Sequence, residues 1–307
     1  MSSDSELTIR RLSAHDYDAI ARIATKADYV YCRFDQRELA RILDSLPAVG
    51  VFTAPPGPLG WITGGTLHAF LLLNQLSPPS AWIGGFGVTD GEARYYQAHL
   101  ARLLPALEDE AAPRGAQNLY YSGGDTDNDW LAPTLKEHGF TLVTLLRSYD
   151  KIGFFIPSSG AQDVRVRPFT PADLDGVLAV ENLAFAQLWR HDAASFLDTA
   201  REYPYFVVAE DEAGVVGYQF NALDGSSGYL VRIAVHPRAQ GRSVGVRLLA
   251  EAVEYFERAG VTRILLNTQE DNTRAHRLYE WFGFERVEPA GFVLGRPIQV
   301  ANSSERT

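Results

Sequence analysis

The chain has 307 residues, 46% of them hydrophobic, a formal net charge of −10 and one cysteine, Cys32. At roughly 150 residues per domain this length suggests two domains with ample material for packed cores. The acidic balance disfavours a general nucleic-acid binder, whose contact face is basic, and suits a cationic partner such as an amine. A lone cysteine excludes an intramolecular disulfide and a cysteine-rich zinc site, and no histidine cluster has metal-ligand spacing, so no metal is expected. No apolar run reaches the ~20 residues of a membrane span, and "MSSDSELTIRRL" lacks the regions of a signal peptide. The expectation is a cytoplasmic protein acting away from membrane and nucleic acid.

The first element in chain order is also the first half of a repeat. "LTIRRLSAHDYDAIARI" (Leu7–Ile23) and "VRVRPFTPADLDGVLAV" (Val164–Val180) each read as a short strand, a polar cap and a helix, with Arg10 opposite Arg167 and Asp16 opposite Asp173. In the second copy Thr170 suits a helix N-cap, Pro171 the first helical position and Asp173 the positive helix start. A second echo closes each half. "LYYSGGDTDNDWLAPTLKEHGF" (Leu119–Phe140) parallels "LLNTQEDNTRAHRLYEWFGF" (Leu265–Phe284), setting Asn128 opposite Asn272. Two echoes in the same order indicate a duplication. "FFIPSSGAQDV" (Phe154–Val164) reads as the linker, dividing the chain into residues 1–157 and 158–307.

In the second half the pattern predicts a strand over 164–168 and helical material from 171 to about 201. Strands follow over 205–210, 214–222 and 228–235, then a helix over 241–259, a strand over 262–268, a helix over 272–281 and a strand over 284–294. This order reads as α/β (α+β), each half a mixed central sheet flanked by helices. The first half follows the same plan, with extra apolar sequence at "WITGGTLHAFLLLNQL" (Trp61–Leu76).

The strand "YLVRIAV" (Tyr229–Val235) leads through His236-Pro237 into "RAQGRSVG", and behind it Val244, Leu248, Leu249, Ala252, Val253 and Phe256 recur at helical spacing. A glycine-bearing loop that opens a helix offers unpaired N–H groups and the positive end of a dipole, so the anion expected there is a phosphate or diphosphate. Arg238 and Arg242 add charge. Neither G-x-x-x-x-G-K-[ST] nor G-x-G-x-x-G occurs.

"QGRSVG" resembles the Q/R-x-x-G-x-G/A signature of the GCN5-related N-acetyltransferases, with Ser243 where that family usually has glycine. The resemblance implies that Gln240, Gly241, Arg242, Ser243, Val244 and Gly245 hold the diphosphate of acetyl-coenzyme A, and that Ile233, Ala234 and Val235 pair with its pantetheine arm. "NTRAHRLYEWFGF" (Asn272–Phe284) is similar to the family's N-x-x-A-x-x-x-Y-x-x-x-G-F stretch, matching at Asn272, Ala275, Tyr279, Gly283 and Phe284.

Acyl transfer to an amine needs a base, an oxyanion donor and a proton for the leaving thiolate. The resemblance gives the last role to Tyr279, lets Asn272 and Ala275 contact the pantetheine arm, and places the oxyanion donor near Val235. The second half resembles most the ribosomal-protein alanine N-acetyltransferases, in which a glutamate stands where this chain has Asn267. Candidate bases are therefore Glu181, Glu210, Glu270 and His191, or ordered water. The acceptor wall is expected from "ENLAFAQLWRHD" (Glu181–Asp192), with Phe185 and Trp189.

In the first half "GEARYYQAHL" (Gly91–Leu100) carries no coenzyme A signature, and Leu135 stands opposite Tyr279. The chain is thus expected to be a tandem acetyltransferase whose C-terminal half transfers acetyl from acetyl-coenzyme A to a primary amine, on a small molecule or a peptide N-terminus. A mycothiol-synthase-like enzyme and a non-catalytic acyl-coenzyme A sensor are the alternatives.

Overall fold

The computed structural model describes residues 7–53, 65–89, 95–203 and 205–299. Trp61–Gly64 and Gly91–Arg94, parts of two stretches singled out above, lie outside them. The chain forms two compact units, Met1–Gly123 with Asn128–Val143 and Val293–Thr307, and Gly124–Asp127 with Thr144–Phe292.

In the first unit β1 (Leu7–Arg11) leads through α1 (Tyr17–Lys26), β2 (Val30–Cys32) and α2 (Gln36–Ser45) to β3 (Ala48–Thr53), β4 (Thr66–Ser77) and β5 (Ser80–Val88). α3 (Tyr96–Ala111), β6 (Asn118–Gly123) and α4 (Ala132–Glu137) follow. The strands run β1-β3-β4-β5-β6, antiparallel up to the parallel β5–β6 pair. Ile20, Leu39, Ile42, Phe70 and Leu72 are among the side chains of its core.

The second unit takes in most of β7 (Thr141–Ile152), then β8 (Arg165–Pro168), α5 (Leu174–Ala184) and α6 (Ala193–Glu202). β9 (Tyr205–Asp211), β10 (Gly214–Asp224) and β11 (Ser227–Val235) form the next strands. α7 (Val244–Arg258), β12 (Arg263–Gln269), α8 (Thr273–Trp281) and the first part of β13 (Glu285–Pro297) complete it. Its strands run β7-β12-β11-β10-β9-β8. The elements fall close to where the periodicity sets them, except that α7 opens at Val244 rather than at 241, β13 runs on to Pro297, and the helical stretch from 171 to 201 is broken. A 3-10 turn at Pro171–Asp173 precedes α5, and a second at Gln187–Trp189 separates α5 from α6. Two apolar layers sandwich the sheet. Tyr218, Phe220 and Ala234 meet α5 and α6 on one face, and Val244, Leu248, Leu249, Val253 and Phe256 bring α7 onto the other. Gly228 allows that approach, because a Cβ there would lie 2.3 Å from the Phe256 ring.

The repeat seen in the sequence is physical. Arg10 grips Asp16 through two hydrogen bonds of 2.9 and 2.7 Å, and Arg167 grips Asp173 through two of 2.7 Å. Each aspartate also closes a capping box, with Ser13 or Thr170. The hydrogen bonds from Arg167 hold the Asp173 carboxyl down at about 2, so its contribution to stability is full above pH ~4 and is lost as pH falls through 2.

The linker lies inside the second unit. Leu146–Ile152 of β7, which precede it, pair antiparallel with Arg263–Gln269 of β12.

Candidate active site

β11 and β12 run parallel and paired only from Ser227–Tyr229 to Arg263–Leu265. Beyond Tyr229 the two strands diverge, and among the described residues the edge of β11 facing β12 has no β partner. A cavity of about 500 Å³ opens there. Ile233, Ala234 and Val235 form its strand side, and Gln240, Gly241, Ser243, Val244 and Gly245 its loop side. Asn272, Ala275, Leu278 and Tyr279 of the α8 segment close it, with Ala184 and Phe185 from the end of α5.

The loop turns through two left-handed residues, Gly241 at φ +81° and Ser243 at φ +60°. Ser243 is the N-cap of α7 and makes no side-chain cap hydrogen bond. The N–H groups of the first turn, Ser243 to Val246, thus lie at the cavity wall with the dipole behind them. A non-glycine residue in this conformation costs about 1–2 kcal/mol, partly offset by the freedom glycine loses on folding. Ser243→Gly is expected to raise unfolding free energy by roughly 0.5–1 kcal/mol in urea titration, with coenzyme A affinity unchanged within about threefold.

Arg242 does not line the cavity. It bonds Asp163 at 2.7 Å and Asp211 at 2.9 Å, and Arg238 shares Asp211 at 3.0 Å. These arginines clamp the loop from outside and leave the anion seat to backbone groups. Among the described residues, the cation that lines the cavity is Arg274, in the first turn of α8, which donates to the Gln240 side-chain oxygen. Sequence reading passed over it, although its place two residues after the Asn272 cap was visible.

Asn272 caps α8 through Ala275 N–H at 3.3 Å and donates to Thr268 Oγ1 at 3.0 Å. Tyr279 is 5% exposed at the cavity wall, and burial, followed by the neighbouring Tyr149, pushes its hydroxyl well above the usual tyrosine range. The phenol therefore carries its proton throughout the working range.

The candidate bases stand elsewhere. Glu181 is fully buried and accepts from Arg232 at 2.7 and 3.3 Å, from His191 N–H at 2.7 Å and from the Tyr218 hydroxyl. His191 is held down at about 3 by burial and by the charge of Arg232, too weak a base to deprotonate an ammonium ion. Glu210 pairs with Arg167 at 2.6 Å, and Glu270 with Arg147. Asn267 is exposed on β12 and does not line the cavity, nor does Trp189, whose carbonyl accepts from Arg232. Phe185 does line it, its ring 3.9 Å beneath the Arg232 guanidinium. Among the described residues no group of three or more His, Cys, Asp or Glu side chains could hold a metal, and no helix is long and apolar enough to cross a membrane.

The first unit repeats the divergence and fills it. β5 and β6 pair in parallel only from Ser80–Trp82 to Asn118–Tyr120. Past Trp82 the same edge of β5 is taken by β2, with Val30–Cys32 antiparallel to Gly85–Gly87. Tyr31 reaches from β2 to the Ser122 carbonyl on β6 at 3.0 Å. Tyr29, Tyr96 and Trp130 close together beside it, with ring centroids 4.9–5.3 Å apart. Leu135, opposite Tyr279, is fully buried on α4.

A family model, described as "Acetyltransferase (GNAT) family", matches residues 174–284, the span holding the loop, the diverging strands and Tyr279. The putative [ribosomal protein bS18]-alanine N-acetyltransferase of Bacillus subtilis is 30% identical over 41% of this chain and 82% of its own length. The chain belongs to the GNAT acetyltransferase family. With membership goes the class, acyl-coenzyme A-dependent N-acetyltransferase. Among other GNAT relatives, the mycothiol acetyltransferase of Salinispora tropica is 29% identical over 88% of this chain and 89% of its own. That of Pseudarthrobacter chlorophenolicus is 33% identical, but the match spans 41% of this chain and 43% of that one. A solved tandem GNAT protein from the clavulanic acid biosynthesis pathway shares the fold with a TM-score of 0.65 at 15% identity, covering 97% of this chain and all of that one.

Proposed function

We propose that the second unit binds acetyl-coenzyme A and transfers its acetyl group to a primary amine, while the first unit binds no donor. The observation that carries this reading is the open edge of β11 past Tyr229, running to the uncapped start of α7 at one end and bordered by Tyr279. An extended amide-bearing arm can pair with such an edge as an added strand does, its diphosphate resting on the N–H groups of Ser243 to Val246. The amine then attacks the thioester carbonyl, the oxyanion is met by backbone N–H near Val235, and the tetrahedral intermediate expels the thiolate, which takes the Tyr279 proton. The candidate carboxylates are engaged in ion pairs, which favours deprotonation through water or by the medium. In the first unit β2 occupies the edge that the arm would need.

Calorimetry with coenzyme A on the intact chain is expected to give one site per chain. Absence of binding, or two equivalent sites, would overturn the assignment. Thiol release from acetyl-coenzyme A against a panel of amines tests the chemistry. A second reading is an acceptor like that of the mycothiol acetyltransferases. Likeness over 88% of this chain and 89% of the Salinispora tropica enzyme supports it, and amine-bearing thiols in the panel address it.

A further inference from the structure

β7 presents two buried polar side chains to α8. Tyr149 is 0% exposed and Lys151 3%, and alternation places both on the same face of the strand. The Tyr149 hydroxyl lies 2.7 Å from His276 Nδ1 and accepts from Arg286 Nε at 3.0 Å. His276 Nε2 meets the Glu270 carbonyl at 3.0 Å. A carbonyl only accepts, so the neutral ring carries its proton on Nε2, and Nδ1 takes the hydrogen bond from Tyr149. Lys151 Nζ donates to the Phe282 carbonyl at 2.7 Å, at the C-cap of α8. An ammonium there satisfies an orphan carbonyl and meets the negative end of the helix dipole.

The two anchors bracket one residue. His276 stands three positions before Tyr279 and Phe282 three after, so each flanking turn is tied to β7. The Tyr149 ring also lies 5.7 Å from the Tyr279 ring at 59°. Burial lowers the proton affinity of Lys151, and the Phe282 carbonyl gives its buried Nζ a hydrogen-bond acceptor.

We propose that Tyr149 and Lys151 are positioning residues for Tyr279, holding its turn of α8 so that the phenol oxygen meets the thioester sulfur. This rests on the donor-site reading above, and it makes the working site depend on residues that precede the linker.

A double-mutant cycle tests it on the full chain. Tyr149→Phe and Lys151→Met are each expected to lower kcat about tenfold, since misplacement by about an ångström is enough to cost that much. Acceptor KM should stay within about twofold, and Lys151→Arg should recover part of the loss. In a Tyr279→Phe background both changes are expected to do almost nothing, because residues acting through one group are not additive. Undiminished effects in that background, or an unchanged kcat in both single variants, would overturn the proposal. Tyr149→Phe removes one oxygen and carries the cycle alone should Lys151→Met fail to fold. A second readout is independent of turnover. The ring NMR signals of Tyr279, assigned by their loss in Tyr279→Phe, should shift in Tyr149→Phe, and signals that do not move refute the positioning role. A wild type that releases no thiol with any amine, but whose Tyr279 signals do respond, sinks the enzyme reading and leaves the anchoring intact.

Discussion

Tyr279→Phe is expected to lower kcat about 10²-fold while leaving KM for acetyl-coenzyme A and for the amine within about twofold. The size follows from the leaving group. A thiol ionises near pH ~8.5, so its anion is a tolerable leaving group at neutral pH, and the donor's contribution sits at the low end of the 10²–10⁴ range of general acid catalysis. The position follows from the cavity wall, where the ring is buried between Tyr149 and Phe284 and removal of one oxygen leaves the packing in place. The pH dependence follows from burial, which raises the hydroxyl above its ordinary value of about 10. The wild-type rate should therefore show no falling limb from this group up to pH ~10. The same shift bears on stability with a definite sign. Above pH ~10 the unfolded chain ionises this tyrosine while the folded chain keeps its proton, so the stabilisation is present below that pH and is lost as pH rises. Stopped thiol-release assays across pH, with circular dichroism to confirm the fold, check these outcomes. A Tyr279→Phe enzyme within threefold of wild type would remove the phenol from the chemistry.

Local chemistry was legible in the sequence and long-range partnership was not. The α7 loop could be read because a strand, a glycine turn and a 3.6-residue apolar stripe stand next to each other along the chain. The twin Arg and Asp positions could be matched between the halves because they keep the same six-residue spacing, although the grip of each arginine on its aspartate was seen only in the structure. Arg242 looked like a phosphate ligand because its own neighbours show only charge, while its carboxylate partners, Asp163 and Asp211, come from distant segments. β2 escaped notice because three residues, Val30–Cys32, carry no period, although they fill the β5 edge. The linker composition gave a linear division of the chain. The pairing of β7 with β12, more than a hundred residues on, rests on register that no local pattern contains. Glu181 read as a candidate base because the sequence shows a carboxylate and not the guanidinium of Arg232, 51 residues later, that neutralises it.

That guanidinium is the second place where a large effect is expected. Arg232→Met should cost about 3 kcal/mol of unfolding free energy, the lower end of the penalty for removing one partner of a buried ion pair. Glu181 is 0% exposed and Arg232 12%, so the stranded carboxylate has no water to turn to. It keeps the Tyr218 hydroxyl and His191 N–H, which is why the loss stays at the low end. Converting the carboxylate to an amide removes the stranded charge, so Arg232→Met with Glu181→Gln should be more stable than Arg232→Met alone. Function should follow the geometry. Arg232 covers the Phe185 ring, which lines the cavity, and holds the Trp189 carbonyl, fixing the segment that follows that ring. Its loss should raise acceptor KM more than it weakens coenzyme A, whose seat on α7 makes no contact with this pair. His191 reports the same change, because part of the depression of its pKa to about 3 comes from the Arg232 charge. That depression stabilises the fold above pH ~6.5 and is lost as pH falls, so acid sensitivity between pH ~6.5 and 3 should lessen in the variant. Urea titrations at pH 7.5 and pH 5 read both effects, and an Arg232→Met protein as stable as wild type would mean that the ion pair is not what holds the wall.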